Sequence, residues 1–191
     1  MPPPQRFKVV IAGDVGIGKT CLIRRFCEGK FDPRYIPTVG VDYGVRALPL
    51  AGSSAGVRAN FYDTSGSPAY SIVRSEFYKE ADGLLLLFDV CDGTSLERLD
   101  GWVEEAQRCG LRASSPMVLC GTKVDLKGKR AVPQEAVDAW LAGSAAVTCT
   151  YHEASSLTGQ GVKEVIEALL ASCIIENSGG VAPSGTANSG V

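Results

Sequence analysis

Eight residues constrain this chain more than any others: Gly13-Asp14-Val15-Gly16-Ile17-Gly18-Lys19-Thr20. They fit G-x-x-x-x-G-K-[ST] in full, between an apolar run at 7–12 and a helical pattern at 19–27. Such a loop needs glycines so that backbone N–H groups can turn inward around phosphate oxygens. The helix that follows aims its positive dipole end at the same point. Lys19 is placed to reach β- and γ-phosphates, and the Thr20 hydroxyl to ligate Mg²⁺. A strand feeding such a loop and helix belongs to a parallel sheet covered by helices.

The rest of the chain repeats that rhythm. Strands are expected at 7–12, 41–50, 57–63, 84–89, 117–122 and 146–152, with 41–50 and 57–63 as a hairpin around 51–56. Helices are expected at 19–27, at 95–109 with apolar residues at three- and four-residue spacing, at 133–141 with proline at its start, and at 162–173. The fold expected is α/β: a six-stranded, mostly parallel sheet with helices on both faces, as in P-loop NTPases. Ligands of such sheets sit beyond the carboxyl ends of the strands. Residues 1–176 are read as one domain, and 177–191, rich in Gly, Ser, Ala and Asn, as a disordered tail.

Composition closes off other chemistries. The 191 residues carry a net charge of −2, which argues against bulk nucleic-acid binding. A single histidine, His152, excludes histidine-cluster sites, and seven scattered cysteines fit neither a disulfide framework nor a zinc pattern. A reducing, cytoplasmic compartment is the expectation. No run approaches the roughly 20 apolar residues of a membrane span, and Met1-Pro2-Pro3-Pro4 lacks the features of a secretory signal.

Two later loops address the base. Gly121-Thr122-Lys123-Val124-Asp125 follows a buried strand. An aspartate there can accept from N1–H and the exocyclic amine of guanine, whereas adenine would leave the carboxylate unpaired. The Lys123 stem can lie over a purine face. Backbone amides of Glu153-Ala154-Ser155-Ser156-Leu157 can meet the guanine carbonyl. Alone, each pattern is also that of an ordinary turn; order and spacing behind the phosphate loop make them specific.

With these motifs in place, residues 6–173 resemble a small GTPase of the Ras superfamily, with Rab-like features. The resemblance implies GTP and GDP as ligands, with Mg²⁺. It implies that Thr38, in Tyr35-Ile36-Pro37-Thr38-Val39-Gly40, joins Thr20 on Mg²⁺ and senses the γ-phosphate. In Asp63-Thr64-Ser65-Gly66 it implies that Asp63 holds Mg²⁺ through water and that the Gly66 N–H bonds the γ-phosphate. It further implies nucleotide contacts at Asp14, Val15, Gly16, Ile17, Gly18, Lys19, Cys21, Phe31, Tyr35, Thr122, Lys123, Asp125, Ser155, Ser156 and Leu157. A narrower likeness at 38–45, 73–79 and 99–102 is to the RJL group, Rab-like GTPases with or without a C-terminal J domain. His152 is followed by Glu153, so no His-Pro-Asp triplet of a J domain is expected here.

Two departures from the family's pattern bear on mechanism. Hydrolysis of GTP needs a water placed in line with the γ-phosphate, and the family commonly uses a glutamine just after the glycine; Ser67 stands there, followed by Pro68. A serine hydroxyl is short and lacks an amide's donor–acceptor pair. Val15 replaces the small residue usual in the phosphate loop, and its stiff branched side chain crowds the path of a partner's arginine. Arg34 and Arg74 fall in the flanking segments and are read as solvated surface residues.

The chain is therefore expected to bind GTP and hydrolyse it slowly, with Lys19 and Ser67 at the catalytic positions. The alternative is a non-hydrolysing module that only recognises effectors; an ATP-dependent kinase is disfavoured by Asp125. Tyr43, Tyr62 and Phe77 match an aromatic trio that Rab-like proteins present to effectors, and they also fit half-buried sheet positions. An exchange factor is a further expected partner. The last cysteine, Cys173, lies 18 residues before Val191, so no prenylation box or lipid anchor is expected, and a monomer is.

Overall fold

The computed structural model describes residues 3–49, 56–144 and 149–178. Six strands form one sheet: β1 (Gln5–Ala12), β2 (Val41–Leu48), β3 (Val57–Thr64), β4 (Gly83–Asp89), β5 (Met117–Thr122) and β6 (Cys149–Ala154). Their order is β2-β3-β1-β4-β5-β6, with β2 antiparallel to β3 and every other pair parallel. Parallel strands need long crossovers, and the helices supply them: α1 (Lys19–Glu28), α2 (Ser71–Tyr78), α3 (Gly93–Glu97), α4 (Leu99–Arg108), α5 (Gln134–Gly143) and α6 (Val162–Asn177).

The two-residue period of each strand sends alternate side chains to opposite faces. Val9, Ile11, Leu85, Leu87 and Val118 point to one layer, with Leu22 and Phe26 of α1 and Ile166 and Leu170 of α6. Val10, Ala12, Leu84, Leu86 and Leu119 point to the other, against Tyr78 of α2, Leu99 and Trp102 of α4 and Val137 of α5. Both faces of β4 and β5 are buried along their whole length. That explains why Leu84 to Phe88 reads as a continuous apolar run rather than an alternating one.

α2 was not among the expected helices, and several boundaries differ from the expectation. The helix expected at 95–109 is two helices meeting at Arg98, which closes the first and opens the second with φ of −83° and ψ of −4°. Leu96 and Leu99 enter the core from either side of that break. The last helix continues to Asn177 rather than stopping at Cys173, because Ile174 is also buried. The final strand, Cys149–Ala154 among the described residues, ends two residues later than expected, next to the loop that carries Ser155. Most of the loop at 51–56, the start of the strand expected at 146–152 and tail residues 179–191 lie outside the described residues. No helix among the described residues is long and apolar enough to cross a membrane.

Candidate nucleotide-binding site

The carboxyl ends of β1, β3, β5 and β6 open onto a cavity of about 610 Å³. Val15, Gly16, Ile17, Gly18, Lys19, Thr20 and Cys21 form its floor. The loop turns through left-handed backbone at Gly13 (φ 137°), Gly16 (φ 78°) and Gly18 (φ 102°), which glycine adopts without strain. A Cβ at Gly13 would also lie 2.4 Å from the Leu87 carbonyl oxygen. Lys19 is 6% exposed, and its ammonium donates to the carbonyls of Gly13 (2.8 Å) and Asp14 (2.7 Å). Burial lowers its pKa to about 8, against the opposing pull of Asp63 and Asp14. An anion in the loop would strengthen the charged form.

Thr20, Thr38 and Asp63 arrive from three different segments and meet. The Thr20 hydroxyl donates to Asp63 Oδ2 at 2.5 Å and lies 2.8 Å from the Thr38 hydroxyl. Asp63 is held at the end of β3 by its register with Ile11 on β1. Burial pushes its carboxyl up to about 6, with the Thr20 hydrogen bond and the Lys19 charge pulling the other way. Asp63 Oδ1 is buried without a hydrogen-bond partner. An orphaned carboxylate oxygen in that setting is costly; beside two hydroxyls it makes a hard, all-oxygen set suited to Mg²⁺. No group of three or more His, Cys, Asp or Glu with metal-binding arrangement exists among the described residues.

The segment after β3 rests directly on the phosphate loop. A Cβ at Gly66 would stand 2.5 Å from both Asp14 C and Val15 N and 2.7 Å from the Gly13 carbonyl oxygen. Only a glycine allows that approach. Ser67 and Val15 both line the cavity, Val15 at 52% exposure. The Ser67 hydroxyl accepts from the Ala69 N–H at 3.4 Å, capping the 3-10 turn Pro68–Tyr70. Phe31, Tyr35 and Thr38 border the cavity on the opposite side.

At the far end, the Thr122 hydroxyl lies 2.6 Å from the Ile17 carbonyl and 2.9 Å from that of Phe88, tying the base loop to the phosphate loop. Lys123 takes a left-handed backbone (φ 65°), and its ammonium meets Asp89 Oδ2 at 2.6 Å. The fully buried Ser155 donates to Asp125 Oδ1 at 2.6 Å, fixing the carboxylate. Thr122, Lys123, Asp125, Ser156 and Leu157 line the cavity, whereas Ser155 acts from behind through Asp125. The Asp14 side chain also turns away from the cavity, accepting from Trp102 Nε1 (2.8 Å) and Arg98 (3.0 Å).

Arg74 corrects the reading from sequence. It is 5% exposed, not a surface residue, and its guanidinium holds Glu105 of α4 through two hydrogen bonds of 2.6 and 2.7 Å. Its position four residues before the buried Tyr78 carries that signal, since both share one helix face. Arg34 is exposed, as expected, and pairs with Asp32. Asp89, Trp102 and Glu105 were not among the expected site residues; each acts through a neighbour rather than lining the cavity. The expected trio does come together: ring centroids lie 5.4 Å apart for Tyr43–Tyr62 and 5.2 Å for Tyr62–Phe77.

Strand order and loop placement make this a Ras-like P-loop fold with a nucleotide site at its carboxyl edge. The chain belongs to the Ras family, whose model matches residues 8–175. It is 34% identical over 180 residues to the DnaJ homolog subfamily C member 27 of Danio rerio, covering 91% of this chain and 64% of that protein. The corresponding protein of Gallus gallus is 32% identical over 185 residues, covering 94% of this chain and 66% of the relative. DnaJ homolog subfamily C member 27-B of Xenopus laevis is 32% identical over 195 residues, covering 98% and 69%. The chain thus spans about two thirds of the length of these relatives. Ras-family proteins are guanine-nucleotide-binding GTPases, generally with Mg²⁺, and this chain is a small GTPase of that family.

Proposed function

We propose that this chain is a Rab-like GTP switch of the RJL type whose intrinsic hydrolysis is impaired. The observation that carries the reading is the Ser67 hydroxyl, which stands in place of a glutamine and accepts from the Ala69 N–H of its own segment. Pro68 follows it and leaves no backbone N–H at that position. Val15 stands half-exposed on the same wall and fills the corridor by which a partner's arginine would enter.

The chain's residues then divide the work. The backbone of 14–19 would cradle the phosphates, and Lys19, which now donates to its loop carbonyls, would hold the β- and γ-oxygens. Thr20, Thr38 and Asp63 would hold Mg²⁺, which supplies charge neutralisation at the phosphate oxygens. Gly66 and Phe31 line the cavity, where the Gly66 N–H would bond the γ-phosphate and the Phe31 ring would border the base. Asp125, oriented by Ser155, selects guanine, and the Lys123 stem packs on the ring while Asp89 holds its charge. Tyr43, Tyr62 and Phe77 offer effectors a connected aromatic face. The seven free cysteines support a reducing, cytoplasmic setting.

Identification of the nucleotide retained through purification tests this reading. GTP is expected; GDP contradicts impaired hydrolysis, and ATP outcompeting GTP contradicts the assigned base loop. Burial of Arg74 and the side chain of Val15 favour a second reading, a module that never hydrolyses. Prolonged incubation with Mg²⁺ separates the two: slow release of phosphate supports the enzyme, and none supports the module.

A further inference from the structure

The brace beneath the phosphate end is built on α4. Trp102 and Glu105 sit three residues apart on that helix and so share a face. Trp102 donates its indole N–H to Asp14 of the phosphate loop at 2.8 Å. Glu105 takes both Arg74 hydrogen bonds and a third, 3.2 Å, from the Tyr78 hydroxyl. Arg74 Nη1 donates in turn to the carbonyls of Ser65 (3.2 Å) and Ser67 (2.7 Å), on either side of Gly66. Its guanidinium carbon lies 4.5 Å over the Trp102 ring. One helix thus grips both partners of the close contact between Gly66 and the phosphate loop.

We propose that Arg74, braced by Glu105 and Trp102, is a positioning residue that fixes the 65–67 turn on the phosphate loop in both nucleotide states. This rests on the nucleotide reading given above and deepens it. A turn ordered only by a γ-phosphate relaxes when that phosphate leaves. Here two of the turn's carbonyls accept from one nitrogen of a buried arginine, whose other two nitrogens are locked on Glu105 in a bidentate pair, among the stronger hydrogen-bonding arrangements available to a protein. The segment at 30–40 is tied at its end, where the Gly40 carbonyl accepts from the Ser65 N–H at 2.8 Å, and has no side-chain anchor comparable to Arg74 among the described contacts. Tyr35, Ile36 and Val39 are 62%, 62% and 76% exposed, and Thr38 reaches the site through its hydroxyl contact with Thr20. The response to nucleotide is therefore concentrated in 30–40, and 64–78 reads out as a constant surface. Arg74 is also spent: donors committed to Glu105, Ser65 and Ser67 do not reach the phosphates.

Hydrogen exchange on the full chain, loaded with GDP or with a non-hydrolysable GTP analogue, tests this. The unaltered protein is expected to show exchange at 31–40 changing by about tenfold or more between the two forms, with 64–78 changing less than about twofold. Arg74→Ala, or the milder Glu105→Gln should the first fail to fold, is expected to make 64–78 nucleotide-dependent by about tenfold. Arg74→Lys should restore part of the constancy. A merely structural arginine would instead speed exchange equally in both forms. Exchange at 64–78 that follows nucleotide in the unaltered chain as strongly as 31–40 overturns the inference alone. Failure to retain either nucleotide overturns the nucleotide reading and the inference with it.

Discussion

Arg34 and Arg74 occupy the two segments that flank the phosphate end, and their surroundings are opposite. The Arg34 side chain is 79% exposed and pairs with Asp32, two residues away. The Arg74 side chain is 6% exposed and gathers partners at positions 65, 67 and 105. A local pair in water constrains nothing beyond its own turn. A buried pair between a loop and a distant helix makes the loop part of the core. Two arginines with the same surface reading from sequence thus divide the site into a free side and a held side.

That division can be broken from the held side first. Arg74→Ala leaves Glu105 buried without its partner, and removing one member of such a pair costs about 3–5 kcal/mol. Chemical denaturation should show a loss of that size. Gly66→Ala forces a methyl group to within 2.5 Å of phosphate-loop backbone. Overpacking of about 1–3 kcal/mol corresponds to a roughly 5- to 150-fold weaker affinity for a GTP analogue, read by nucleotide competition.

Acid sharpens the same contrast. Burial alone would raise the Glu105 carboxyl, but its bonds to Arg74 and Tyr78 and the Arg74 charge hold it below the ordinary value. A group depressed in the folded state contributes stability above its unfolded pKa and loses it as pH falls through the folded value. Thermal melting across the acidic range should therefore fall more steeply for the unaltered chain than for Glu105→Gln. Arg34→Ala, on the free side, should leave the melting temperature unchanged.

The phosphate loop, the six strands and the base loops were legible because their signals are local: glycine spacing, apolar runs and turn residues. The metal set was reached through resemblance, and Thr20, Thr38 and Asp63 do converge. What stayed hidden depends on pairing across distance. Nothing near Arg74 names Glu105, 31 residues on, and nothing near Asp14 names Trp102, 88 residues on. The helix at 95–109 read as continuous because Leu96 and Leu99 keep helical spacing across the break at Arg98. Strand order follows from which runs pair, a long-range matter that alternation within each run does not encode.

The central claim is that Ser67 and Val15 leave GTP bound but slowly cleaved. Single-turnover hydrolysis of preloaded GTP with Mg²⁺, comparing the unaltered chain with the Ser67→Gln/Val15→Gly double variant, tests it most directly. The account predicts slow cleavage by the unaltered chain and acceleration of about tenfold or more in the variant. Equal rates in the two proteins would contradict it.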